Sequence, residues 1–394
     1  MEQNDIVIVA AKRTPLGNLL GSLSSLSAPE LGAIAHQAAI EQAGISPDEI
    51  DEVISGCVLQ AGIGQAPARQ AAIKAGIPDS ANATTINKMC GSGMKAVMLA
   101  HDLLKAGSTN TILASGMESM SNAPYLLAKA RAGYRLGHGE MKDHMFLDGL
   151  EDAYDRGKLM GCFAEATADK YHFSREQQDE FASRSLIKAI TAQKENAFAG
   201  EIAPVKISGR KGETVVSQDE GPDETKLAKI PQLKPAFKSD GTVTAANSST
   251  ISDGAASLIL MTAAQAKKRG LHPLARIVAH ASHAQEPQWF TTAPVEAIRK
   301  VLSKAGWHQN DVDLFEINEA FAVVTMAAIK ELELDPEKVN IHGGACALGH
   351  PIGASGARII VTLINALRQK HLSKGVASLC IGGGEATAIA IELV

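Results

Sequence analysis

Cys90 stands between an apolar segment and a Gly-Ser-Gly turn, in the stretch INKMCGSGMKAVMLAHDLL from Ile86 to Leu104. Gly91 and Gly93 permit a sharp strand-to-helix turn. Such a turn sets the sulfur at a helix N-terminus, where unpaired N–H groups and the helix dipole favour a thiolate. That is the setting of a nucleophile; the plainer reading is a small apolar core residue, as most cysteines are. A second stretch, NIHGGACALGHPIGASGARI from Asn340 to Ile359, holds five glycines around His350 and Pro351, and cysteine with histidine is a pair for thiol activation. In a third, SLCIGGGEATAIAIE, Cys380 ends an apolar strand and Gly382, Gly383 and Gly384 follow. Their N–H groups suit an anion nest or oxyanion hole, or simply a packing turn. In a fourth, EINEAFAVV, Asn318 and Glu319 lie between a strand and an apolar helix, as polar groups of a site or as helix caps.

The elements that must position these residues recur along the chain. LGAIAHQAAIEQAGISPDEIDEVISGCVL in the first half matches PVEAIRKVLSKAGWHQNDVDLFEINEAFA in the second, with Gly44 opposite Gly306 and Asp51 opposite Asp313. Further on, the helix after Cys90 matches the helix after His350, and each is followed by an apolar strand. Gly116-Met117-Glu118 is paired here with Gly383-Gly384-Glu385. The pattern reads as an internal duplication offset by about 260 residues, with helices layered on parallel or mixed sheets. Strands such as DIVIVAA and VASLCIGG are apolar throughout, as strands buried on both faces are. If the halves pack about a pseudo-twofold axis, the Cys90 and His350 turns meet. The stretch from Ser119 to Ser248 does not repeat. It is richer in charge, Gly and Pro, which suits a lid or substrate-binding insertion.

Composition narrows the class. The chain has 394 residues, 45% hydrophobic and 21% charged, with a formal net charge of −5. This fits a soluble globular protein and argues against a general binder of nucleic acid or anionic membranes. The N-terminal residues carry acids where a signal peptide needs bases. Uncharged runs such as 254–266 fall short of the ~20 residues a membrane span needs. Five cysteines with no C-x-x-C argue against a disulfide framework or a zinc site and for free thiols in the cytoplasm.

Taken together and in order, CGSGMKAV at Cys90, TVTAANSSTISDGAA from Thr242, NEAFA from Asn318, GGACALGHPIGASGAR around His350 and CIGGGEATA from Cys380 resemble the thiolase family over nearly the whole chain. The likeness is greatest to its short-chain, biosynthetic acetyl-CoA C-acetyltransferases. The resemblance implies an α/β fold of five layers, αβαβα: an N-terminal half (1–118 plus 249–270), an inserted loop domain (119–248) for coenzyme A binding and tetramerisation, and a C-terminal half (271–394). It implies that Cys90 is acylated by an acyl-CoA, that His350 accepts its proton or stabilises the thiolate, and that Cys380 removes the α-proton of a second acetyl-CoA. One oxyanion hole would use His350 and a water held by Asn318, the other the N–H groups of Cys90 and Gly382. Coenzyme A contacts carry over to Leu150, Met160, Phe237, Ala245, Ser249 and Phe321, with bases between Lys206 and Lys238 for its phosphates. Coenzyme A is substrate and product, so no metal or separate cofactor is implied. The partners implied are acetyl-CoA, 3-ketoacyl-CoA and further copies of the chain, as a dimer of dimers joined through the loop 125–150.

Three positions depart from the short-chain pattern: Leu159 before Met160-Gly161, where His-Met-Gly is common; Phe290, where methionine is common; and Cys346, where an aliphatic residue is more usual. The first two leave room for a broader, degradative 3-ketoacyl-CoA thiolase. A β-ketoacyl synthase usually pairs its cysteine with two histidines, and the third position here is Cys380. A silent acyl-CoA or lipid carrier on the same fold would be expected to lose Cys90 or His350. A nucleotide-binding oxidoreductase would need G-x-G-x-x-G after the first strand.

Overall fold

A computed structural model describes residues 2–209 and 212–394. The first half runs β1 (Ile6–Arg13), β2 (Gly17–Asn18), α1 (Ala28–Ala43), β3 (Glu52–Gly56), α2 (Pro67–Lys74), β4 (Asn82–Ile86), α3 (Ser92–Lys105) and β5 (Thr111–Ser119). Chain chemistry marks the ends of α1: Ser27 and Glu30 form a capping box, and Gly44 closes the helix at φ 67°. Next come β6 (Tyr125–Leu126), β7 (Lys142–Asp143), α4 (Met160–Tyr171), α5 (Arg175–Lys194), β8 (Val205–Gly209) and β9 (Gly212–Val216). The chain then returns through β10 (Ser252–Thr262), α6 (Ala263–Lys268), β11 (Ala275–Ala284), α7 (Ala293–Ala305), β12 (Leu314–Ile317), α8 (Ala322–Glu331), α9 (Ala345–Leu348), α10 (Ile352–Lys370), β13 (Lys374–Ile381) and β14 (Glu385–Leu393).

The large sheet is mixed, in the order β4-β3-β5-β10-β1-β11-β14-β13-β12, and its two halves join only where Val7 and Ile8 of β1 meet Arg276 and Ala275 of β11. The layers follow from which faces are apolar. Ile8, Ile112 and Leu258 from the first half and Leu379, Ile389 and Ile391 from the second converge on Met94 and Val97 of α3 and Ile360 and Leu363 of α10. Those two helices are therefore the middle layer. α1 and α2 cover the outer face of the first half, burying Ile40 and Ala72 against Val53 and Ile259. α7 and α8 cover the second, with Ile298, Val301 and Ala328 against Val376 and Ala388. This is the five-layered αβαβα arrangement, with β1, β10 and β13 buried along nearly their whole length.

The repeat is visible in its joints. Asp51 accepts hydrogen bonds from the N–H groups of Asn110 (3.0 Å) and Thr111 (2.9 Å). Asp313 does the same for Ser373 (3.0 Å) and Lys374 (2.8 Å). Gly306 closes α7 at φ 68°, as Gly44 closes α1. These joints align Thr111 with Lys374, which corrects one pairing read from the sequence. Gly116-Met117-Glu118 lies inside β5, whereas Gly383 and Gly384 lie in the turn after β13 and Glu385 opens β14. The repeat counterpart of Cys380 is Met117.

The insertion is anchored to the sheet by a buried charge. Arg13, at the end of β1, is fully buried; it donates to Asp219 (2.6 and 2.9 Å) and to Glu201 (2.5 Å). Removing Asp219 would strand a guanidinium that burial alone disfavours. Asp219→Ala is expected to lower unfolding stability by about 3–5 kcal/mol, read from urea midpoints; a loss below about 1 kcal/mol would show that Glu201 suffices.

Candidate active site

Cys90 and His350 are equivalent points of the repeat, each two residues ahead of a middle-layer helix. The two helices touch through glycine. A Cβ on Gly93 would lie 2.7 Å from the backbone N of Ala357, and one on Gly356 would lie 2.3 Å from that of Met94. No side chain fits at either place, so the helix N-termini approach backbone to backbone and bring the two turns together. Before Cys90 the chain takes a tight course, with Met89 at φ 48°. From the second half, Gly383 and Gly384 at φ 94° and 88° turn the chain after β13. This directs the Gly382 N–H at the Cys90 sulfur, which its own N–H also faces. Cys380 is buried, and the Cys90 sulfur lies close enough to raise its thiol pKa further.

Sequence logic predicts a thiolate at Cys90; burial in the folded chain favours the protonated thiol. Burial pushes Cys90 up to about 11, and the N–H groups of Gly382 and Cys90 recover only part of that. Burial also lowers His350 to about 3, so its imidazole is neutral. Its tautomer follows from the hydrogen bonds. Ser355 Oγ donates to the Pro351 carbonyl (2.9 Å), so it accepts from His350 Nδ1 (2.5 Å). Nε2 then carries a lone pair, and it is buried without a partner. Burial thus favours the neutral form of both groups, thiol and imidazole, over an ion pair. Because the folded thiol is shifted upward, alkylation of Cys90 by iodoacetamide should be slow near neutrality and still rising at about pH 9. A plateau reached below about pH 7 would reveal a stabilised thiolate.

Asn318 and Glu319 divide their work. Asn318 is buried with neither side-chain polar atom hydrogen-bonded to protein, which leaves both free for water or a reacting oxygen. Neither residue caps α8, whose N-cap is Phe321. Glu319 instead accepts from Ser185 Oγ (2.7 Å), Asn340 Nδ2 (2.9 Å) and the Cys346 N–H (3.1 Å). It pins the loop that leads to His350. Cys346 Sγ lies 3.7 Å from the Glu319 carbonyl. Two residues were given no role from the sequence. Ser355 carries only a weak signal, one hydroxyl in the first turn of a helix of small residues. Glu118 accepts from the N–H groups of Val58 (3.0 Å), Leu59 (3.0 Å) and Gly353 (2.8 Å) and ties β5 to the start of α10.

All six residues expected to touch coenzyme A line one groove. Leu150, Met160, Phe237, Ala245, Ser249 and Phe321 surround a space of about 540 Å³, together with Leu159 and Lys226. The loop carrying Ser249 docks on the Asn318 segment: the Ser249 N–H reaches the Ala320 carbonyl (2.9 Å), and the Ala322 N–H reaches that of Asn247 (2.8 Å). Met160 joins this groove to the catalytic side, since it also borders Gly382 and Gly383 in a neighbouring depression of about 300 Å³. Phe290 is buried edge-on to Phe163, in the same apolar cluster as Cys380. Of the bases between Lys206 and Lys238, Lys226 faces the groove, its Nζ on the Gly221 carbonyl at 2.6 Å; Arg210 and Lys211 lie outside the described residues.

Comparison with known proteins points the same way. The family model described as "Thiolase, N-terminal domain" matches residues 6–264, and "Thiolase, C-terminal domain" matches 271–393. Acetyl-CoA acetyltransferase 2 of Arabidopsis thaliana is 50% identical over 99% of this chain and 97% of its own. The acetyl-CoA acetyltransferase of Cupriavidus necator is 50% identical over 98% of this chain and 99% of its own. Among solved structures, the acetyl-CoA acetyltransferase of Bacillus anthracis superposes with a TM-score of 0.97 at 44% identity, covering 99% of both chains. The Acat5 thiolase of Ascaris suum in complex with coenzyme A gives 0.93 at 43%, covering 99% of this chain and 100% of that one. Both halves of the chain thus match one family over nearly the whole length, and this protein belongs to the thiolases.

Proposed function

We propose that this chain is an acetyl-CoA C-acetyltransferase, joining two molecules of acetyl-CoA into acetoacetyl-CoA and coenzyme A, reversibly, through an acyl-cysteine. The observation that carries the reading is the proximity of two thiols, Cys90 and Cys380, with the Gly382 N–H at the Cys90 sulfur and the Cys380 cluster sharing Met160, Phe237 and Phe321 with an apolar groove. In the first half-reaction Cys90 Sγ attacks the thioester carbon as His350 Nε2 takes its proton; the bond to the coenzyme A sulfur breaks, and Cys380 gives its proton to that thiolate. In the second, Cys380, now a thiolate, takes a proton from the α-carbon of the next acetyl-CoA. The resulting carbanion attacks the acyl carbon, the bond to Cys90 breaks, and His350 returns the proton to the Cys90 sulfur. The N–H groups of Gly382 and Cys90 suit the first oxyanion. His350 with a water on Asn318 suits the enolate oxygen. Each such donor is worth about 3–4 kcal/mol of barrier.

In this reading coenzyme A is substrate and product, and no separate cofactor takes part. Residues 119–248 are the inserted unit that holds it, between an N-terminal half of 1–118 plus 249–270 and a C-terminal half of 271–394. The assembly is a homotetramer, a dimer of dimers. The loop 125–150 supports this, with Tyr125, Leu127, Leu136 and Met141 exposed; a monomer in light scattering at micromolar concentration would contradict it. No helix among the described residues is long and apolar enough to cross a membrane. The five free thiols suit the reducing cytoplasm.

The groove also sets the test of substrate range. Leu159 makes one wall apolar, which favours each added methylene by roughly 0.8 kcal/mol where there is room. Phe290 fills space beside Cys380 and works against longer chains. We expect kcat/KM for thiolysis to be highest on the C4 substrate acetoacetyl-CoA, weaker on C6 and least on C8 3-ketoacyl-CoA. A preference for C8 over C4 would favour a broad degradative thiolase, the second reading that Leu159 supports. An unchanged profile in Leu159→His would remove that residue from the specificity.

A further inference from the structure

At the far end of α3 from Cys90, three Lewis-basic atoms converge from two parts of the chain. His101 Nδ1 lies 3.0 Å from Asp102 Oδ1, His280 Nε2 lies 2.8 Å from the same oxygen, and the two ring nitrogens are 3.2 Å apart. His280 comes from β11, in the other half of the repeat and 178 residues from Asp102, so no spacing in the sequence announces the cluster. Both imidazoles are mostly buried, while the Asp102 side chain is 54% exposed. The rings stand nearly perpendicular, at 84° with centroids 4.9 Å apart.

Three lone-pair donors this close repel unless a proton or a cation lies among them. The spacing fits a cation. The circle through the three donors has a radius of about 1.7 Å, so an ion about 1 Å off its plane would lie ~2.0–2.1 Å from all three, the bond length of zinc to nitrogen and carboxylate. The neighbouring cations are engaged elsewhere. Lys105 donates to the Asn4 carbonyl (2.6 Å) and Lys304 to the His280 carbonyl (3.1 Å).

We propose that His101, Asp102 and His280 form a binding site for one divalent transition-metal ion of the zinc type, with a fourth position open to water on the Asp102 side. Two imidazoles and a carboxylate are the donors such ions prefer. The site clamps the end of a middle-layer helix to β11, and so joins the two halves beside their short β1–β11 link. His101 is eleven residues beyond Cys90, about 15 Å along the helix axis. The clamp therefore acts on stability and not on the reacting groups.

Cobalt(II) reports the donor set directly. Titrated into the chelator-stripped full-length chain, it should give one equivalent of visible ligand-field absorption. The near-ultraviolet thiolate-to-cobalt band that Cys90 or Cys380 would produce should be missing. Zinc should displace the signal and raise the unfolding temperature. His280→Gln and Asp102→Asn should weaken cobalt binding at least about tenfold and cancel the thermal shift, with thiolysis unchanged within about twofold. If a variant fails to fold, carbethoxylation of His101 and His280 in the unmutated chain, mapped by mass spectrometry, serves instead; one equivalent of zinc should protect both. Absorption of thiolate type only, a signal that survives in His280→Gln, or absence of protection would each overturn the site.

Discussion

Cys90→Ala should reduce acetoacetyl-CoA thiolysis by on the order of 10⁴-fold or more, with KM little changed. The loss is this large because no other thiol stands in the same place. Cys380 lies in the apolar cluster of Phe290 and Phe321, where burial raises its thiol pKa. Burial, and then the carboxylates of Glu118 and Glu319, drive the Cys57 and Cys346 thiols upward. The groove is untouched by the substitution, so coenzyme A still binds and the loss appears in kcat. Steady-state assays on both substrates measure it, and residual activity within about tenfold of the parent would remove Cys90 from the mechanism.

Cys380→Ala separates the half-reactions. Cys90, its two N–H donors and the neutral His350 all remain, so acetyl-CoA should still acylate the chain and release one coenzyme A per site. The carbon–carbon step should fall by about 10²–10⁴-fold, the usual worth of a positioned acid–base group. A burst of one coenzyme A with no acetoacetyl-CoA is the expected trace. Condensation near the parent rate would make Cys380 a packing residue. Removal of both the burst and the condensation would show that it shapes the Cys90 pocket instead.

Much of this arrangement is legible in the sequence because it is repeated. Gly44 with Gly306 and Asp51 with Asp313 mark the same joints twice, and the repeat sets Cys90 and His350 at equivalent helix starts before any fold is known. The repeat fails at Cys380, whose counterpart is Met117 and not part of a glycine turn. There the two halves have diverged in what they do after the strand. The apolar runs of β1 and β13 announce burial on both faces, and the count of five layers comes from the family resemblance. The protonation state is a different matter. A helix N-terminus argues for a thiolate, but desolvation is a property of everything packed around the sulfur, and here it outweighs the dipole. Ser355, Glu118 and the Arg13–Asp219 pair are equally silent in the sequence. Ser355 acts on His350 five residues before it, across the turn, while the others act through partners that only the fold brings near, 206 residues away for Arg13 and Asp219 and 235 for the Glu118 bond to Gly353.

The central claim is that Cys90 alone carries the acyl group, and one measurement addresses it without relying on rates. The protein is mixed briefly with acetyl-CoA and quenched in acid, and its peptides are mapped by mass spectrometry in the parent and in Cys380→Ala. One acetyl group per chain on the peptide containing Cys90, in both proteins, with Cys57, Cys162, Cys346 and Cys380 unmodified, is the predicted result. Acetylation on Cys380 in the parent, or no acetyl on Cys90 in either protein, would contradict it.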